Sequence, residues 1–162
     1  MPTFINGKLY NIITYEDATP ISNHPDFLDA CSKYDILDFT NPNFNYPIDS
    51  LPNNIKYINL ALCQKFNQPV DNLPSQLIGL SLPRGYNHPL LNHLPLGIKY
   101  MYFNEKWLNN YCRSIIKCAP ASLIYLFTNT IHFDLETQKI MKTKYNLFGD
   151  CIYKHNTLFK IN

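Results

Sequence analysis

A β-rich solenoid of about five coils is the fold this sequence predicts, with a parallel sheet on its concave face, an irregular convex side and non-repeat caps at both ends. Three observations predict it. First, one pattern recurs as Leu51-Pro52-x-x-Ile55-x-x-Ile58-x-Leu60, Leu73-Pro74-x-x-Leu77-x-x-Leu80-x-Leu82, Leu94-Pro95-x-x-Ile98-x-x-Met101-x-Phe103 and Ala119-Pro120-x-x-Leu123-x-x-Leu126-x-Thr128, after a weaker copy, Ala30-Cys31-x-x-Tyr34-x-x-Leu37-x-Phe39. The copies start 21, 22, 21 and 25 residues apart, so each coil can hide its apolar edge only against the next. Second, an aromatic-Asn-x-Pro tetrapeptide lies between copies: Phe44-Asn45-Tyr46-Pro47, Phe66-Asn67-Gln68-Pro69 and Tyr86-Asn87-His88-Pro89. Third, prolines bound the outer segments so closely that no ordinary helix fits there.

The elements follow in order. Phe4 to Tyr10 reads as a hairpin around Asn6-Gly7, a pair that supplies the positive φ angles of a two-residue turn. Asn23-His24-Pro25-Asp26 reads as a helix start ahead of Phe27, Leu28 and Ala30. In each repeat the last two apolar residues are two apart, which is strand spacing with both side chains on one face. The proline dipeptide marks the bend just before that strand. The aromatic ring of the tetrapeptide fills the coil interior, and its asparagine is expected to turn inward and bond backbone groups, coil after coil. Between the third and fourth full copies, Trp107-Leu108-Asn109-Asn110 replaces the tetrapeptide, and Tyr111, Cys112, Ile115 and Ile116 suit one side of a short helix over 108–118. The tail offers strand-like runs at Ile131–Leu135, Lys144–Phe148 and Thr157–Ile161, with Gly149-Asp150 as a turn. The expected layout is a single domain: a cap over 1–29, repeats over 30–129 and a cap over 130–162.

Composition narrows the function. Apolar residues make up 46% of the 162, enough for a core. No apolar run reaches the length of about 18 residues that a membrane helix needs, and the N-terminus does not read as a secretory signal. Five scattered cysteines favour a reducing, cytoplasmic setting over a disulfide framework. A net charge of +2 lacks the basic stripe of a nucleic-acid binder. The charge is uneven: residues 1–43 carry two lysines against six carboxylates, net −4, which leaves +6 for the rest. The plain reading is a solvated acidic end; the sharper one is association of acidic and basic ends.

The Leu-Pro-x-x-Leu-x-x-Leu-x-Leu pattern followed by Phe-Asn-x-Pro resembles the FNIP repeat, a relative of the leucine-rich repeat found in social amoebae and in giant viruses that infect amoebae. The resemblance is strong over residues 44–103, weaker at 30–43 and 104–128, and absent from both ends. It implies a right-handed, leucine-rich-repeat-like coil that acts through protein contacts, with host modulation in the host cytoplasm as a viral role. Many such chains also carry an N-terminal F-box; residues 1–29 read as a hairpin and one helix and do not match one.

Carrying over the leucine-rich geometry puts the alternate strand residues on an exposed concave face: Ile36 and Asp38, Tyr57 and Asn59, Gly79 and Ser81, Tyr100 and Tyr102, Tyr125 and Phe127. The proposed binding set is Tyr57, Asn59, Tyr100, Tyr102, Tyr125 and Phe127, since tyrosine joins a large contact area to a hydroxyl. The competing reading is that these rings only pair with one another across the sheet. Signals for chemistry are sparse. The glycines are isolated, so no phosphate loop forms; Cys112 and Cys118 have the wrong spacing for a zinc knuckle; His88 with His93 is a weak metal pair. Cys118 with His132 is the one thiol–imidazole pair a cysteine enzyme could use. The expectation is therefore no enzyme, cofactor or metal, and a protein or peptide partner, with a self-assembling homo-oligomer as the alternative.

Overall fold

The computed structural model describes residues 2–5, 8–90, 94–104, 120–127, 131–134 and 139–142. Its strands are β1 (Pro2–Ile5), β2 (Lys8–Tyr15), β3 (Ile36–Phe39), β4 (Tyr57–Asn59), β5 (Gly79–Leu82), β6 (Tyr100–Phe103), β7 (Tyr125–Phe127), β8 (Ile131–Asp134) and β9 (Lys139–Lys142). Among the described residues one α-helix, α1 (Pro25–Cys31), follows a 3-10 turn at Ile21–Asn23. The strands form one sheet in chain order. All neighbours from β2 to β7 pair in parallel. The two ends reverse direction, β1 against β2 and β8 against its neighbours β7 and β9.

Parallel neighbours require the chain to travel out and back between strands, and two β-turns recur along that path. The first turn delivers the aromatic residue inward: the N–H groups of Phe44, Phe66 and Tyr86 donate to the carbonyls of Asn41, Cys63 and Pro83. In the third of these, Gly85 takes φ +79°, a left-handed conformation that favours glycine. The second turn starts on the repeat proline. Ile55, Leu77, Ile98 and Leu123 donate to the carbonyls of Pro52, Pro74, Pro95 and Pro120. The spacing Leu-Pro-x-x-Leu is thus a turn closed between its second and fifth residues, and the strand begins directly beyond it. Between those points the described outer segments hold turns and extended chain, with no helix from Thr40 to Lys56 or from Leu60 to Ile78.

Neighbouring coils are joined by repeated hydrogen bonds. The Asp35 carbonyl accepts from Lys56 and Tyr57, the Lys56 carbonyl from Ile78 and Gly79, and the Ile78 carbonyl from Lys99 and Tyr100. The strand register then carries Leu37, Ile58, Leu80, Met101 and Leu126 as direct neighbours. All five are fully buried, beside the second row of Phe39, Leu60, Leu82 and Phe103. Burying each such side chain is worth roughly 1.5–3 kcal/mol. Opposite them, Phe44, Phe66 and Tyr86 stack with ring centroids 6.0 Å apart and planes 7° and 10° from parallel. The rings fill the interior, as the tetrapeptide predicts.

The asparagines do not turn inward. Asn45, Asn67 and Asn87 are exposed. The Asn67 N–H donates to the Asn45 side-chain oxygen at 2.9 Å, and the Asn87 N–H to the Asn67 side-chain oxygen at 3.4 Å. The ladder exists, but it runs along the outer surface and bonds coil to coil; the buried space is already filled by the rings. A second rung links Asn53 to the Ser75 N–H at 3.2 Å.

At the ends, the hairpin, α1 and the strand near Ile131 stand where the sequence places them. Two features were not anticipated. β2 continues past its hairpin, so that Ile12–Tyr15 pair in parallel with Ile36–Phe39. β9 adds a further strand. The expected helix over 108–118 and the strand-like runs at 144–148 and 157–161 lie outside the described residues.

Candidate functional site

The alternate strand positions form the rows the repeat geometry requires. Ile36, Tyr57, Gly79, Tyr100 and Tyr125 are neighbours in register, and so are Asp38, Asn59, Ser81, Tyr102 and Phe127. Tyr57, Asn59, Tyr100, Tyr102, Tyr125 and Phe127 are therefore brought together on one side of one sheet. The expected exposure is not found at Tyr57, Asn59 and Tyr102. Tyr57 is 2% exposed, Asn59 0% and Tyr102 1%. Ile36, Asp38, Gly79 and Ser81 are buried too, and Tyr100 alone of the described side chains is half-buried. This side is a second core, in which Tyr10, Ile36, Tyr57, Ala61 and Tyr102 pack with Ile12, Ile78 and Tyr100.

The physical reason is partly visible. β2 extends the face by one strand, and Tyr10 meets Tyr57 edge-on with centroids 5.2 Å apart. The Lys56 ammonium lies 5.6 Å from the centre of the Tyr10 ring and 2.6 Å from an Asp35 carboxylate oxygen. Burial, followed by the neighbouring Tyr10, pushes the Tyr57 hydroxyl well above the ordinary tyrosine range. Tyr10, Ile12, Ala61 and Ile78 were missed by sequence reasoning, because each lies at the edge of a repeat position or before the first recognisable copy. Alternation from Tyr10 through Ile12 to Thr14 is the signal that would have found the first two.

The polar row is also closed to water. The Asn59 amide donates to the Asp38 carboxylate at 2.8 Å, and the Ala61 N–H donates to the Asn59 side-chain oxygen at 3.1 Å. The Ser81 hydroxyl is buried and has no hydrogen-bond partner among the described residues. A buried amide that bridges a carboxylate and a backbone N–H fixes register. As placed, the row holds the sheet together and presents little to a ligand.

Other candidate chemistry is weaker still. His88 meets the Asn67 carbonyl through Nε2 at 2.8 Å, and His93, its suggested metal partner, lies outside the described residues. No group of three or more metal-ligating side chains occurs among the described residues. Cys118 of the thiol–imidazole pair lies outside them as well. Burial pushes the Cys31 thiol up to about 11 and the Cys63 thiol to about 12, so neither is a ready nucleophile. His24 Nε2 sits 2.9 Å from the Thr19 hydroxyl and 3.9 Å from Asp17. Both contacts fall on the same ring nitrogen, which is not the geometry of a proton relay. No helix among the described residues is long and apolar enough to cross a membrane.

No family model matches the chain, and no curated protein does. Among solved structures the chain is similar to CroV588, a giant-virus protein described as a novel circular leucine-rich-repeat structure. The two are 27% identical with a TM-score of 0.56, over 74% of this chain and 18% of that one. The chain thus matches less than a fifth of that neighbour's length. The parallel sheet, the scarcity of helix and this likeness make the fold β-rich and leucine-rich-repeat-like. Such folds are typically non-enzymatic scaffolds for protein contacts.

Proposed function

We propose that this chain is a protein-binding repeat module of the FNIP kind: a single solenoid of about five coils over residues 30–129, flanked by non-repeat segments over 1–29 and 130–162. The in-register stacking of one turn–strand unit carries this reading, because a repeated frame of this type holds side chains at fixed spacing along one surface. The likeness to a giant-virus protein supports a viral source, with host modulation in the host cytoplasm as the setting.

Burial narrows the contact site. Tyr57, Asn59 and Tyr102 are committed to packing, so the partner-facing strip starts at Tyr100 and takes in β7, where Tyr125 lies beside Tyr100 and Phe127 beside Tyr102 in register. Tyr100 is flanked on its other side by Gly79, which has no side chain to shield the ring. The test is a photo-crosslinking residue placed at position 100 in the expressed chain. An adduct with a host or viral protein from position 100, absent when the probe stands at Asn67 on the outer ladder, supports the reading. Equal labelling from both positions, or none from position 100, overturns it.

A further inference from the structure

The two ends of the sheet are built differently, and the difference concerns a strand edge. Backbone groups in a strand alternate sides. The carbonyls of Asn11 and Tyr15 accept from Asp35 and Thr40, so in β2 residues 11, 13 and 15 face β3. Ile12 and Thr14 therefore aim their N–H and C=O groups the other way. On that side β1 runs only beside Lys8–Asn11, with Pro2 opposite Asn11. Among the described residues, no strand lies beside Ile12–Tyr15 on the edge away from β3. Among the described residues the hairpin covers half of β2 and leaves the other four residues without a strand on that side.

The same end is incompletely sealed. Leu9 is 55% exposed, and Ile12, Ile13, Phe27 and Leu28 are only half-buried, whereas the repeat residues that follow in register, Leu37 and Ile58, are fully buried. Repeat stacks that end on an apolar coil need a cover. Glu16 and Asp17, both exposed, follow directly on the open edge.

Among the described residues the opposite edge is β9, Lys139-Ile140-Met141-Lys142, also four residues long. Two antiparallel steps, β7 to β8 and β8 to β9, return β9 to the direction of the repeat strands. A second copy set in the same orientation would lay its β9 parallel to β2, the pairing every repeat already uses. Lysines at a sheet edge ordinarily oppose strand addition. Opposite Glu16 and Asp17 they select one partner instead. We propose that the open edge Ile12–Tyr15 receives β9 of another copy, so that chains join head to tail through strand pairing between an acidic and a basic end. Such a contact is heterologous, and it propagates until the rotation closes a ring or leaves an open stack.

The test is mass against concentration for the full chain, by sedimentation or light scattering. The wild-type mass should rise with protein concentration at low salt and return to that of one chain at high salt. Thr14→Pro removes an N–H that faces away from β3 and leaves the β2–β3 ladder intact; it should stay at the mass of one chain with an unchanged strand signal in circular dichroism. Lys139→Glu/Lys142→Glu and Glu16→Lys/Asp17→Lys should each lose association alone and regain it when mixed. A wild type that keeps the mass of one chain at every concentration overturns the proposal, as does a mixture that fails to associate. A folded Thr14→Pro chain that associates like the wild type does the same. If Thr14→Pro does not fold, the charge-exchanged mixture decides. This outcome is independent of crosslinking at Tyr100, so either reading can fail alone.

Discussion

Both faces of the parallel sheet hold buried rows, and the two are built from different chemistry. The interior face repeats one choice, a leucine-sized apolar residue at every rung from Leu37 to Leu126. The other face mixes Ile36, Tyr57 and Tyr102 with a carboxylate, an amide, a hydroxyl and a glycine. Uniform rows arise where each coil needs the same support from the next. A mixed row arises where each coil packs against something particular to its position. Burial alone therefore does not distinguish a repeated core from one fitted residue by residue; composition along the row does.

The sharpest way to break this comparison is to truncate a ring on each face. Phe66→Ala opens the aromatic stack on both sides and should cost about 3–5 kcal/mol in urea unfolding. Tyr102→Ala should cost nearly as much, about 3 kcal/mol or more, because it is as deeply buried. A Tyr102 variant within about 0.5 kcal/mol of wild type would behave as a surface residue, and the second core would not exist. Next in size, Asn59→Ala should cost about 1–3 kcal/mol, since it removes a hydrogen-bond donor from the buried Asp38 carboxylate and the acceptor of the buried Ala61 N–H.

Raising pH tests the interior core, which holds both buried thiols. The folded chain holds the Cys31 and Cys63 thiols protonated up to about 11 and about 12, while the unfolded chain ionises its thiols near 8.5. Between those values the folded state binds more protons. Stability should thus be intact below about pH 8 and fall as pH rises, by up to about 1.4 kcal/mol per pH unit for each thiol. Urea midpoints measured from pH 7 to 10 check the slope, and Cys63→Ala should flatten it. The smallest effect belongs to Ser81→Ala. Its hydroxyl has no partner to lose, so the change should fall within about 0.5 kcal/mol of zero or stabilise slightly; a large loss would reveal a partner for that oxygen.

The repeat frame was legible because its constraints are local. A proline three residues before an apolar position sets the turn, and two apolar residues two apart set the strand, so the register of Ile58, Leu80, Met101 and Leu126 could be read directly. The first parallel strand was hidden because Ile13-x-Tyr15 has the strand spacing without the proline turn, although Ile13 lies 24 residues before Leu37, close to the period. The burial of Tyr57 and Tyr102 was not legible. Alternation says which residues share a side of a sheet and is silent on whether that side meets water. The asparagine rungs were half legible: the residue type announced a backbone bond, but its direction depended on the rings having already taken the interior.

The outer asparagine ladder has an evolutionary consequence. Asn67 donates its backbone N–H to the coil before it and accepts with its side-chain oxygen from the coil after it, over separations of 22 and 20 residues. Each unit thus presents matching plugs at its two ends. Unequal crossing-over that duplicates or deletes one whole unit restores the same junction on both sides, so the gene can lengthen or shorten by whole coils without having to invent a new seam.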